Sequence, residues 1–203
     1  MNSSLLLPAF YLPPVSYFHA IKQAGSEALL LEKHEHYAKQ SYRTRARIAS
    51  ANGVLDLIVP IVHGRKERVA MKDIRINYEH DWQRLHWLSL QTAYRSSAYF
   101  EYYEDDFRKF YDRQHAFLFD FNFAQLELLL TCLKLNRSVH FSEAYVSPES
   151  AADLRTLIHP KRDHFWPTQP AYYQVFEERH GFLPELSVID LLFNQGPQSK
   201  NFL

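Results

Sequence analysis

The sequence predicts an α/β fold: a mixed sheet from the N-terminal half (a βαβ start, then a hairpin), covered by helices of the C-terminal half. Three observations carry that expectation. Two apolar runs, Leu5–Leu7 and Ala28–Leu31, flank a segment of helical period within about 30 residues, the size of a βαβ unit. An Asn52-Gly53 pair separates two alternating segments, the pattern of a hairpin. From Trp82 onward the apolar positions recur at helical rather than strand spacing.

Taken in order, Leu5–Leu7 is a short buried strand stopped by Pro8. Tyr17, Phe18, Ile21 and Ala24 then share one helical face, with Pro14 where a first-turn proline is tolerated and Gly25 at the stop. A strand at Ala28–Leu31 closes the unit, and a parallel pair with a right-handed crossover is the expected connection. Tyr42 to Ile48 alternates, with Arg43, Arg45 and Arg47 on one side; Leu55 to Val62 is its hairpin partner, with Pro60 marking an edge or an end. Ile74 and Ile76 suggest one more short strand. Helical stripes come next: Trp82, Leu85, Leu88 and Thr92; then Tyr103, Phe107 and Phe110; then Leu126, Leu129, Leu130 and Leu133. Ser147-Pro148-Glu149 opens a short helix towards Ile158, and Tyr172, Val175 and Phe176 belong to a helix that Gly181 ends. Ser187 and Asp190 have capping-box spacing before Leu191, Leu192 and Phe193, and Gly196-Pro197 stops that helix. No repeat or linker interrupts the chain, so residues 1–203 are expected to form one domain.

Lysine plus arginine equals aspartate plus glutamate at 23 each, and a neutral chain is a poor nucleic-acid coat. The single cysteine, Cys132, excludes an internal disulfide and a cysteine-based zinc site, and reads as a small core residue. No apolar run is long enough to span a membrane and the N-terminus lacks an export signal, so a cytoplasmic protein is expected.

Ligands of open parallel sheets bind beyond the carboxyl ends of the strands. The two loops expected there carry Tyr11, and then His34, His36, Tyr37 and Lys39, which would surround one cleft with Tyr42 and Arg45. Between positions 33 and 75, ten cations stand against four carboxylates, which suits a phosphate or carboxylate ligand; within that span Arg65-Lys66-Glu67-Arg68 reads as an exposed turn. His34 and His36 project together but lack further ligands at metal-site spacing, so no metal is expected and acid/base work is the role open to them. Glycine-rich phosphate loops and the GxSxG and SxxK motifs are absent.

Tyr11-Leu12-Pro13-Pro14-Val15-Ser16-Tyr17-Phe18, Tyr37-x-Lys39-x-x-Tyr42-x-x-Arg45, Leu57-x-Val59-Pro60-x-Val62, Tyr94-x-x-x-Ala98-Tyr99-Phe100 and the end, Leu186-Ser187-x-x-Asp190 through Gly196-Pro197, together resemble the WbqC-like family. The resemblance implies a setting in O-antigen-type surface-polysaccharide biosynthesis and transfer of an acyl or aminoacyl group to an amino sugar. The donor would be a nucleotide sugar or an acyl-coenzyme A, its anionic group held by Lys39 and Arg45, with Tyr11 and Tyr42 lining the cleft. Many members begin with His-Gln-Pro where this chain has Leu6-Leu7-Pro8, and many carry Asn where it has Thr44. The acid/base role therefore moves to His34 or His36. Two alternatives stand beside this one: a non-catalytic partner of a polysaccharide-biosynthesis enzyme, docking through tyrosines of the 94–111 segment, and a nucleotidyltransferase-like nucleotide binder, although its HxGH motif is absent.

Overall fold

A computed structural model describes residues 4–62, 68–147, 152–162 and 165–203. Strand β1 (Ser4–Pro8), helix α1 (Val15–Gln23) and strand β2 (Ala28–Glu32) form the expected βαβ unit, the strands parallel and in register from Ser4 opposite Ala28 to Pro8 opposite Glu32. Leu5, Leu6 and Leu7 are all buried, as a strand covered on both faces requires. Helix α1 buries Tyr17, Phe18 and Ile21 and breaks where Gly25 adopts φ +55°. The hairpin comes next as β3 (Arg45–Ser50) and β4 (Gly53–Ile58), turning at Ala51-Asn52. Ala46 and Ile48 face the core while Arg45 and Arg47 share Asp56 across the pair at 2.9 and 3.4 Å.

The parallel strands and the hairpin belong to two separate sheets, and the parallel one recruits strands from far along the chain. Strand β5 (Val139–Phe141) pairs with β2 and strand β6 (Ala152–Asp153) with β1, both parallel, giving the order β5-β2-β1-β6. All four strands therefore end at one edge. The expected helix towards Ile158 falls partly on residues 148–151, outside the described ones; strand β6 and then a turn occupy the next positions. The strand expected at Ile74 and Ile76 is absent among the described residues: after a short 3-10 turn at Met71–Asp73, Ile76 makes an isolated bridge with Ile61 and its amide donates to the Ala116 carbonyl at 3.2 Å.

Helices α2 (Trp82–Tyr94), α3 (Phe100–Asp112) and α4 (Leu118–Cys132) match the change of period. The buried face of α2 differs from the expected stripe: Trp82, His86, Leu90 and Ala93 turn inward, while Leu85 and Leu88 are 53% and 50% exposed. The polar His86 is carried inside because partners await it there. Short α5 (Glu177–His180) ends at Gly181 with φ +67°, and α6 (Val188–Gln195) at Gly196. At Gly196, with φ +52°, an added Cβ would lie 2.5 Å from the Tyr99 ring, so the close approach as well as the turn needs glycine. Ser187 precedes α6 without a side-chain cap: the Asp190 amide donates to the Ser187 carbonyl, and the Asp190 carboxylate accepts from Tyr94, Tyr172 and Gln174.

Phe193 of α6 is the centre of the helical layer, with Tyr94, Phe100, Tyr103 and Phe107 packed around its ring. The 94–111 aromatics are thus mainly interior packing; Tyr102, 76% exposed, is the exception. Cys132 is half-buried, and burial pushes its thiol up to about 11. Among the described residues no helix is long and apolar enough to cross a membrane.

Candidate functional site

Pro8, Glu32, Phe141 and Asp153 end the four parallel strands side by side, and the loops beyond them meet at that edge. Glu32 holds three of these loops together. Its side chain is fully buried and accepts hydrogen bonds from the His34 amide (2.6 Å), the Ser142 hydroxyl (2.7 Å) and the Val146 amide (2.8 Å), with Arg155 Nη1 3.7 Å away. Two bidentate pairs complete the floor. Arg43 grips Glu35 through Nε and Nη2 at 2.8 and 2.5 Å, and Arg155 grips Asp153 at 3.0 and 2.8 Å. Burial raises the Glu35 carboxyl above its ordinary range even against the pull of Arg43. Burial works against the Arg155 charge too, but the Asp153 bonds outweigh it and hold the guanidinium protonated.

These groups enclose a cleft of about 690 Å³ lined by His34, His36, Arg43, Tyr145, Arg155 and Thr156, among others. Arg155 stacks 5.0 Å from the centre of the Tyr145 ring. His34 is half-buried, and its Nε2 is shielded from solvent without a hydrogen-bond partner among the described residues; His36 is exposed. The cleft lining sets Glu35 and Asp153 against Arg43 and Arg155, so the two pairs cancel, and the fully buried Glu32 lies behind them. Such a cleft offers polar groups to a neutral or singly charged ligand and imidazole nitrogens to carry a proton. Among the described residues no group of three or more His, Cys, Asp or Glu is arranged to hold a metal ion.

The expected site residues divide in two. His34 and His36 share the cleft. Tyr11 lies elsewhere: it is fully buried, its hydroxyl 2.9 Å from His86 Nδ1 and 2.8 Å from the Tyr111 hydroxyl, and burial pushes the His86 imidazole down to about 4. The expected place of Tyr11 at the cleft is therefore corrected: its amide donates to the Tyr42 carbonyl and its side chain points under helices α2 and α3. Tyr37 is half-buried against Thr44, hydroxyl to hydroxyl at 3.2 Å. Lys39 is exposed beside the cleft rather than in its wall, and Arg45 is turned to Asp56 in the hairpin.

Tyr42 is buried against Phe10 and lines a separate, small polar cavity with Arg47, His159, Arg162 and Glu185. Burial pushes its phenol up to about 12. Burial likewise pushes the Glu185 carboxyl up to about 7, outweighing the Ser16 hydroxyl and the Arg47 charge. A carboxyl raised on folding stabilises fully below its unfolded value of 4.5 and loses that contribution as pH rises through 7. Glu185→Gln is therefore expected to match the parent in urea unfolding at pH 4 and to exceed it by up to about 3 kcal/mol at pH 8. Equal stability of the two proteins at pH 8 would refute the assignment.

Sequence reasoning missed Glu32, Arg43, Tyr145, Asp153 and Arg155. The one signal available was a carboxylate closing an otherwise apolar strand, Glu32 after Leu29–Leu31.

The sequence model of the WbqC-like protein family matches residues 9–164, a stretch that contains every cleft residue named above. The chain is also 25% identical over 230 residues to the uncharacterized protein Rv1507c of Mycobacterium tuberculosis, covering all of this chain and 98% of that protein. No solved structure matches the chain.

Proposed function

The chain belongs to the WbqC-like protein family, and on that footing we propose that it is a cytoplasmic transferase of surface-polysaccharide biosynthesis that acylates or aminoacylates an amino sugar in the cleft. The observation that supports this reading most is a cleft at the strand ends lined by two histidines, with the His34 Nε2 free of any partner among the described residues. An amine bound beside His34 gives up to the imidazole the proton that keeps it from reacting. His34 takes that proton, and the nitrogen lone pair attacks the acyl carbonyl carbon of the donor, forming the C–N bond. The bond to the leaving group breaks, the leaving group departs with its electron pair and takes a proton from the imidazolium, and the neutral imidazole then accepts the second proton that nitrogen sheds as the amide forms and releases it to solvent. An acyl-coenzyme A meets these requirements as donor, its thiolate being the leaving group, and a nucleotide-linked amino sugar meets them as acceptor.

Incubation with acyl-coenzyme A and aminoacyl donors and a nucleotide-linked 2-amino sugar, followed by mass spectrometry, tests the proposal. A mass gain of one acyl group on the amine is the expected result. Glucosamine binding with no transfer from any donor would reduce the protein to a sugar-binding partner of another enzyme, the reading that the exposed Leu85 and Leu88 favour.

A further inference from the structure

The arginines inside the cleft are paired with carboxylates, so they are not available to a polyanionic donor. The cations that remain lie just outside, on the two loops that form one wall of the cleft. Residues 36–50 contain Lys39, Arg43, Arg45 and Arg47 and no carboxylate. Facing them is the loop after β6: Lys161 Nζ donates to Gln40 Oε1, Arg162 Nη1 donates to the Thr156 carbonyl at 2.8 Å, and Arg47 Nη2 donates to the Pro160 carbonyl at 2.9 Å. Ala38 and Thr156 of these same loops line the cleft, so the cationic rim is continuous with it.

The rim's charge is poorly balanced. Among the described residues, Arg45 and Arg47 share the single carboxylate of Asp56, Lys161 and Arg162 bond neutral oxygens alone, and Lys39 has no ion-pair partner. The Glu185 carboxyl nearby is pushed up to about 7 and counts for only part of a charge at neutral pH. Burial and then the positive field of Arg162, Arg43, Lys161 and Arg45 lower the His159 imidazole, independent testimony that these cations converge. Asp163 lies outside the described residues.

We propose that Lys39, Lys161 and Arg162 form a subsite for the diphosphate group of a substrate, beside an inner cleft that takes the reacting groups. The division of charge is what carries this: the interior spends its arginines on its own carboxylates, and a basic rim with few carboxylates retains phosphates within reach of the cleft. Calling the ligand a substrate of acyl transfer rests on the transferase reading; the diphosphate site itself does not. Nucleotide sugars and coenzyme A both contain a diphosphate, and the nucleoside distinguishes them.

Calorimetric titration of pyrophosphate, UDP and coenzyme A at low salt tests the subsite, comparing the parent with Lys161→Glu/Arg162→Glu and with Arg108→Glu/Lys109→Glu, a control of equal charge change on exposed residues of α3. The rim variant is expected to bind pyrophosphate at least tenfold more weakly, and the control within about twofold of the parent. Tighter binding of UDP than of coenzyme A, or the reverse, with the same loss in the rim variant, supports the subsite and identifies the source of its diphosphate. Pyrophosphate binding equal in the parent and the rim variant, equal losses in rim variant and control, or no binding to the parent, would overturn it. Glucosamine titration of the rim variant keeps the two ideas apart, because the amine is expected to bind it undiminished even if the subsite fails.

Discussion

Glu32→Ala is expected to lose about 3–5 kcal/mol of folding stability at neutral pH, because three hydrogen-bond donors lose their common acceptor inside the fold. In this molecule these are the amides of His34 and Val146 and the Ser142 hydroxyl, while Arg155 keeps its bidentate pair with Asp153. Glu32→Gln keeps the shape but can offer only one carbonyl oxygen, so it is expected to retain part of the loss. Urea unfolding of the three proteins gives the order parent, Gln, Ala. A loss below about 1 kcal/mol for the alanine variant would mean that the loops are held by something other than this carboxylate.

His34→Ala is expected to slow transfer by about 10²–10⁴-fold, the usual contribution of a positioned acid/base. Its folding stability should stay within about 1 kcal/mol of the parent, since the ring is half-exposed and its Nε2 holds no partner among the described residues. His36, exposed and with its backbone bridged to Ala70, stands further into solvent, and His36→Ala should cost much less. The pH dependence of kcat/KM separates a chemical from a structural role: the limb belonging to the base should vanish in His34→Ala and persist in His36→Ala. A His34→Ala enzyme within threefold of the parent would move the base elsewhere.

The half of the fold that was legible in sequence is the half whose signals are local. Leu5–Leu7, Pro14, Gly25 and Leu29–Leu31 lie close together, so a βαβ unit could be read from them, and Asn52-Gly53 marked the hairpin directly. Strands β5 and β6 could not be read that way. They have three and two residues, and they exist because β2 and β1 offer free edges, a condition set by residues more than a hundred positions away. The site obeyed the same division. His34 and His36 were found because they sit on the loop after a visible strand. Asp153 and Arg155 were not, because the strand that delivers them leaves no pattern. Tyr11 shows the converse error: its loop was placed correctly, but His86 and Tyr111 from distant helices close over the ring, and only tertiary packing decides which way an aromatic side chain turns.

That packing also explains the misread face of α2. Leu85 and Leu88 were expected inside and stand in solvent, while His86 takes the interior position because the Tyr11 hydroxyl meets its ring. Hydrophobicity alone ranks leucine above histidine for burial; a waiting hydrogen-bond partner reverses the order.

The most direct test of the cleft as the working site is an amide-resolved NMR titration of the isotopically labelled protein with glucosamine. Shifts are expected to concentrate on the loops beyond the strand ends, at His34, His36, Tyr145 and Thr156, and His34→Ala is expected to alter them. Shifts centred on the small cavity around Tyr42, or on the exposed face of α2, with the strand-end loops silent, would contradict that assignment.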